Sequence, residues 1–310
     1  VQIVNLFVPK GVEVLSTRGR NKKMDKIYKT TQEPVDVKMP LAVLIDGGTA
    51  SSSEIVAGAL QDLDRAVIIG SRSYGKGLVQ STRPLPYNGM LKVTIARYYI
   101  PSGRLIQAID YSHRNPDGSV ARIPDSLTHE FKTAHGRIVR DGGGIKPDVE
   151  TSMERRGNIS YYLMKDFYFF DYATRYAAEH DTIPAPKDFK LSDEEYEGFK
   201  AFVKSKYDKQ SERILSDLKE VAKFEGYFDE NTQKQFEALE VCLNHDLDRD
   251  LETFHDEIAE LLSIEIVKRY YYQKGEIIES IKNDKDLKEA CRILGNKSRY
   301  DEILNLSGKH

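Results

Sequence analysis

Residues 40–70 read as strand, turn, helix, strand, and that order constrains the first half of the chain more than any other feature. PLAVLID (Pro40 to Asp46) is a compact apolar run of the kind that forms a buried strand. GGTA turns the chain. In SEIVAGALQDL the apolar residues Ile55, Val56, Ala59, Leu60 and Leu63 recur at helical spacing. AVIIG (Ala66 to Gly70) is a second short apolar run. Two buried strands joined through a helix by short connections form a βαβ unit, a parallel pair with a right-handed crossover.

The same unit carries the residues with the most chemical content. Ser51, Ser52 and Ser53 stand together at the mouth of the predicted helix, with Glu54 behind them. As structure, Ser51 is an N-cap and Glu54 completes an SxxE capping box. As chemistry, a serine at a helix N-terminus has free N–H groups and positive potential beside it for a developing oxyanion, and the Ser52 N–H is the natural donor. A hydroxyl nucleophile needs a base, and no histidine precedes His113. A lysine amine can serve if burial brings its pKa from ~10.4 toward ~7–8. Lys76, in SYGKGLVQ (Ser73 to Gln80), is the candidate. Its alternative is an ordinary solvated lysine. Gly75 and Gly77 permit close backbone approach around it. If LVQ is extended, Gln80 shares a face with Lys76 and can orient its amine.

GSRSYGKG (Gly70 to Gly77) is also close to a P-loop. The match fails where the magnesium-ligating Ser/Thr is replaced by Gly77, and where LVQSTRPLP continues as a strand rather than a helix. The seven histidines form no HExxH pattern, and Asp246 to Glu252 lacks EF-hand spacing. FYFFDY (Phe167 to Tyr172) has no adjoining basic patch and reads as core or interface.

Further along, LVQSTRPL and LKVTIARYYI flank YNGM, and Asn88-Gly89 signals a hairpin. A polar excursion from Asp110 to about Arg140 contains the turn Asn115 to Gly118, and GGGIKPD (Gly142 to Asp148) closes the region. After about residue 151 glycine becomes scarce and Lys, Glu, Leu and Tyr dominate. Ser192 with Glu195 forms a capping box, Asp229 opens ENTQKQFEALEVCL, and Asp250 opens LETFHDEIAELLSIEIVKRYYY. These are amphipathic helices, so the expected division is 1–150 and 151–310.

At 310 residues, two domains are expected. A net charge of −3 points to neither nucleic acid nor an anionic membrane, and no apolar run approaches the roughly 18 residues of a membrane span. Cys242 and Cys291 fit no metal spacing and do not by themselves establish a disulfide. The opening VQIVNLFVPKG has neither an initiator Met nor a signal-peptide pattern and reads as the middle of a folded element, so a piece of a longer protein is expected.

At these residues the chain resembles the C-terminal processing (tail-specific) proteases of the S41 serine peptidase family. GTASSSEIVAGALQD is similar to the family pattern G-[ST]-A-S-A-S-E-I-x-A-x-A-L-x-D, and SYGKGLVQ to [TS]-[FY]-G-K-G-x-V-Q. The resemblance implies Ser51 as nucleophile, Lys76 as general base, Gln80 as its orienting partner, the Ser52 N–H as oxyanion donor and Asp62 as a supporting aspartate. ARYYIPSGRLIQ (Ala96 to Gln107) and GGGIKPD match two further, largely structural segments. The implied fold is α/β: part of a ClpP/crotonase-like S41 catalytic core over 1–150, then an all-α C-terminal domain over 151–310. The implied substrates are proteins with apolar C-terminal tails, cleaved without metal or organic cofactor in the bacterial periplasm or cell envelope. The helical domain offers a surface for an oligomer or adaptor. Ser52 stands where the family usually has alanine. The PDZ module and the segment giving a second oxyanion donor lie upstream in the family, so low activity is expected of this piece alone. The competing readings are a non-catalytic peptide-binding scaffold and a P-loop-like nucleotide binder.

Overall fold

The apolar run at residues 40–46 and its partner at 66–70 form the parallel pair that anchors the first half of the chain. The computed structural model describes residues 1–114, 120–151, 157–206, 210–243 and 247–306, so the turn expected at 115–118 lies outside the described residues. The chain divides into two compact units, Val1–Met153 with Asp284–His310, and Glu154–Asn283.

In the first unit a short helix α1 (Gln2–Asn5) precedes β1 (Glu13–Arg18), β2 (Lys26–Lys29) and β3 (Ala42–Ile45). Helix α2 (Ser52–Asp62) then leads to β4 (Val67–Gly70), β5 (Leu78–Pro84), β6 (Met90–Tyr99), β7 (Ile109–Arg114), β8 (Val120–Arg122), β9 (Glu130–Lys132), β10 (Ile138–Arg140) and β11 (Val149–Glu150). Strands β3 and β4 run parallel with Ala42 opposite Val67, and β11 joins the other edge of β4. A second sheet has the order β2-β1-β6-β5 and is antiparallel. Between the sheets lie Ala57, Ala59 and Leu60 of α2, with Val14, Ile45, Ile68, Tyr98, Ile100 and Ile145. A fully buried Leu or Ile contributes about 1.5–3 kcal/mol, so this cluster fixes the position of α2 against β3 and β4.

The β5–β6 hairpin forms where expected, with its turn one residue early. Leu85 N–H donates to Gly89 C=O at 2.8 Å, and the residues with positive φ are Tyr87 (58°) and Asn88 (60°). The tight turn is therefore Pro86 to Gly89, with Tyr87-Asn88 at its centre rather than Asn88-Gly89.

The second unit is helical: α3 (Asn158–Lys165), α4 (Tyr168–Glu179), α5 (Asp193–Lys206), α6 (Gln210–Phe224), α7 (Glu230–Leu243), α8 (Leu247–Thr253) and α9 (His255–Ser280). Its core centres on Phe169 and Phe199, stacked at 5.4 Å, with Leu163, Leu251, Ile258, Leu262 and Ile266. The Ser192–Glu195 box forms, with Ser192 N–H donating to Glu195 Oε2 at 2.7 Å and Glu195 N–H to Ser192 Oγ at 3.2 Å. Asp229 caps α7 through Thr232 N–H at 2.7 Å. The helix expected from Asp250 is two: Asp250 lies inside α8, and the chain leaves helical geometry at Phe254 (φ −106°, ψ 24°) before α9 starts.

The last helices, α10 (Lys285–Leu294) and α11 (Lys297–Ile303), depart from the expected single helical region 151–310. Ala290, Ile293, Tyr300 and Leu304 bury against Val67 and Ile69 of β4, so apolar burial assigns them to the first unit. Leu41 N–H also donates to the Tyr300 hydroxyl at 3.0 Å.

Candidate active site

Strand β3 delivers the chain to a tight turn. Asp46 Oδ1 accepts from the N–H groups of Gly48 at 3.0 Å and Thr49 at 2.9 Å, and from the Thr49 hydroxyl at 3.0 Å. The chain then passes through Ser51 at φ 58°, ψ −116° and enters α2. A non-glycine residue held there carries about 1–3 kcal/mol of backbone strain. Of the three adjacent serines, Ser51 alone has this geometry; Ser52 and Ser53 are exposed residues of the first helical turn. A strained residue between strand and helix is the backbone arrangement that a nucleophile elbow also uses. Among the described residues the Ser52 N–H, first in the helix, donates to no other group, which leaves it open to an external acceptor.

The loop that carries Lys76 is pressed against residues 107–108. A Cβ on Gly75 would lie 2.2 Å from the Ala108 Cβ, and one on Gly77 would lie 2.9 Å from the Gln107 nitrogen. Gly75 also has φ +86°. Both glycines are therefore required by close approach. Ala108 N–H donates to Gly75 C=O at 2.9 Å, and Gly77 N–H to Gln107 Oε1 at 2.7 Å.

One carboxylate joins the serine turn to the lysine loop. Glu54 is fully buried. Its Oε2 accepts from Ser51 N–H at 2.9 Å and Lys76 N–H at 2.8 Å, and its Oε1 from Gly75 N–H at 2.7 Å and the Ser73 hydroxyl at 2.5 Å. Ser73 Oγ in turn accepts from Ile145 N–H at 2.7 Å, which brings in the GGGIKPD segment. Tyr98 of β6 forms a second tie. Its hydroxyl donates to Lys76 C=O and lies 3.3 Å from Ser51 C=O. Burial, with the Glu54 carboxylate adding to it, pushes the Tyr98 phenol well above its usual pKa, so it remains a donor.

These residues match a described family. Residues 1–120 match the model of peptidase family S41, and residues 159–294 match that of the probable PDZ-protease C-terminal helical domain. A carboxy-terminal-processing protease of Bartonella bacilliformis is 49% identical over 109 residues, 35% of this chain and 25% of that protein. The chloroplastic carboxyl-terminal-processing peptidase 1 of Arabidopsis thaliana is 39% identical over 102 residues, 33% of this chain and 21% of that one. The chain thus spans about a quarter of the length of these relatives. Among solved structures, a photosystem II D1 C-terminal processing protease aligns with a TM-score of 0.34 and 27% identity, covering 48% of this chain and 30% of that one.

Within the segment that matches S41 the expected site residues separate into two groups. Ser51 and Lys76 are joined through Glu54 and Tyr98. Lys76 and Gln80 line a cavity of about 290 Å3 together with Ala50, Tyr74, Gln107 and Tyr111, and neither Ser51 nor Ser52 is part of its lining. A bulge lies beside Gln80, since Val79 faces Ala96 while Gln80 faces Thr94, leaving Ile95 as the extra residue. The Lys76 side chain is exposed to solvent, unlike the buried amine expected of a base.

Asp62 lies elsewhere. It is at the opposite end of α2, about 16 Å along the axis from Ser51 at 1.5 Å per residue. It is buried, pairs with Arg104 at 2.9 Å and accepts from Ser102 N–H at 3.0 Å. Arg104 also donates to Gln61 Oε1 at 2.7 Å and Arg140 C=O at 3.0 Å. Asp62 therefore anchors the IPSGR loop rather than touching the serine and lysine. Asp148 of GGGIKPD has a similar role, accepting from Ile68 N–H at 2.8 Å and Gln61 Nε2 at 2.9 Å.

The P-loop reading has no support in the structure, because Gly77 is followed by strand β5 rather than by the helix whose N-terminus would hold phosphate. Sequence reasoning assigned Glu54 a capping role and passed over Tyr98. The cap is one of four bonds that Glu54 accepts, and the other three depend on a loop twenty residues downstream.

Proposed function

We propose that the chain forms part of a serine endopeptidase that cleaves protein substrates near apolar C-termini through a Ser51–Lys76 dyad. The observation that carries the reading is the joint tethering of the two residues: Glu54 accepts from both N–H groups, and the backbone strain at Ser51 supports its assignment as nucleophile. In the proposed reaction a substrate chain fills the cavity beside Lys76 and covers its amine. The neutral amine takes the proton from the Ser51 hydroxyl as its oxygen attacks the scissile carbonyl. The Ser52 N–H donates to the oxyanion. The leaving amine takes a proton from Lys76. Water then gives up a proton to Lys76 and attacks the acyl carbon, and the departing Ser51 oxygen takes that proton back from Lys76 as the acid is released. Gln80 orients the lysine amine from the rim of the cavity.

The family match and the relatives' names support a peptidase acting on protein ends. Among the described residues no helix is long and apolar enough to cross a membrane. The test is cleavage of an unfolded protein with an apolar C-terminus by full-length wild type, Ser51→Ala and Lys76→Ala. Each variant is expected to lose at least about a hundredfold in turnover. Wild type no faster than the variants removes the peptidase reading and favours a peptide-binding scaffold.

A further inference from the structure

The net charge of −3 conceals a strong local imbalance. From Arg65 to Ile109 the chain has seven Lys and Arg residues and no Asp or Glu. Several of these cations, with Arg18 of β1, lie on the antiparallel sheet. Arg18 sits directly opposite Arg97 in the β1–β6 register, and like charges so placed repel. Arg83 faces Leu91 and Lys92 faces Thr82 in the last rungs before the β5–β6 turn. All four side chains are exposed, and among the described residues none forms an ion pair.

The hairpin tip beyond Arg83 and Lys92 is apolar and outside the core. Tyr87 is 102% exposed, Met90 65%, Leu85 47% and Leu91 45%. Among the described residues β5 is the outer strand of its sheet, so the hairpin lies along an edge. An exposed Leu/Tyr/Met tip bordered by Arg83 and Lys92 has the chemistry of attachment to an anionic bilayer. The apolar side chains enter the boundary between headgroups and acyl chains, tyrosine suits that depth, and the cations meet lipid phosphates. An acidic polypeptide would satisfy the cations and leave the apolar tip in water. We propose that the β5–β6 hairpin docks this protein peripherally on anionic lipid surfaces. The proposal does not depend on the Ser51–Lys76 reading.

The full chain is to be sedimented with vesicles of phosphatidylcholine alone and with about one-third phosphatidylglycerol. Binding is expected for the anionic vesicles, falling in roughly 0.5 M salt as the charges are screened. Each removed cation is expected to weaken binding about fivefold, so Arg83→Glu/Lys92→Glu loses at least about 25-fold. The chain has no tryptophan, so Tyr87→Trp gives a single fluorescent reporter. Its emission is expected to shift to the blue on anionic vesicles and to be quenched by brominated acyl chains. Ser51→Ala is expected to bind as wild type does. Three results overturn the proposal: equal binding to neutral and anionic vesicles, no spectral shift in Tyr87→Trp, or capture of polyglutamate with no capture of vesicles.

Discussion

Ser51 and Lys76 donate their backbone N–H groups to a single oxygen, Glu54 Oε2, at 2.9 and 2.8 Å. The two loops come from different connections of the fold, one after β3 and one after β4. Their spacing is therefore set by a side chain rather than by chain continuity. Glu54→Ala removes the shared acceptor and leaves three buried or part-buried N–H groups and the Ser73 hydroxyl without it. At about 1–3 kcal/mol for each unsatisfied buried donor, a loss of at least ~3 kcal/mol in unfolding free energy is expected. Glu54→Gln preserves shape but substitutes a donor for one acceptor oxygen. It is expected to fold with a lowered urea midpoint and to lose turnover more than affinity, because the distance between hydroxyl and amine relaxes. Unchanged stability in Glu54→Ala would refute the clamp.

The Tyr98 hydroxyl ties the same two residues by their carbonyls. Tyr98→Phe removes one donor without a cavity. The stability cost is expected near 1 kcal/mol, the net value of one hydrogen bond. The effect on turnover is expected to be larger, about tenfold in kcat with KM unchanged, because only the relative placement of Ser51 and Lys76 is altered. A fall confined to KM would place Tyr98 in substrate binding instead.

How far the sequence disclosed the site follows from the range of the interactions involved. The βαβ unit, the strand after Gly77 and the Ser192 box were legible because each rests on spacing within a few residues. Glu54's reach to Gly75 and Lys76, and Tyr98's to Ser51, were not, because those contacts span 21, 22 and 47 positions. The return of α10 and α11 to β4 was hidden for a related reason. Their amphipathic pattern states that a face is buried but not against what, and the partner Val67 lies more than two hundred residues earlier. The exposure of Lys76 was equally out of reach, since a motif fixes residue types and leaves solvent contact to the surrounding fold.

Asp62 illustrates a motif residue whose role changes once it is located. Its partner Arg104 is 1% exposed, and the pair closes the far end of α2. Asp62→Ala leaves a buried guanidinium without its counter-charge, and about 3–5 kcal/mol of stability is expected to be lost. Asp62→Leu combined with Arg104→Met removes both charges and is expected to recover most of it. For the fraction that remains folded, kcat/KM is expected to match wild type. A loss of kcat in well-folded protein would return Asp62 to the catalytic group.

The helical unit carries its own pH dependence at Glu195. Partial burial opposes ionisation of this carboxylate, but hydrogen bonds from the Ser192 N–H, the Tyr176 hydroxyl and the Ser192 hydroxyl, with His180 nearby, outweigh it and hold the pKa below the usual range. Tyr176 shows the reverse effect, its phenol pushed up by burial and by the same carboxylate. A carboxyl group with a lowered folded-state pKa stabilises the fold fully above its unfolded value of about 4.3, and the contribution disappears as pH falls through the folded value. The urea midpoint of the full chain is therefore expected to drop as the pH falls below about 4. Glu195→Gln, which cannot ionise, is expected to start lower at neutral pH and to show a shallower acid limb. A variant whose acid limb overlays that of wild type would show that ionisation of Glu195 contributes nothing to the stability of the cap.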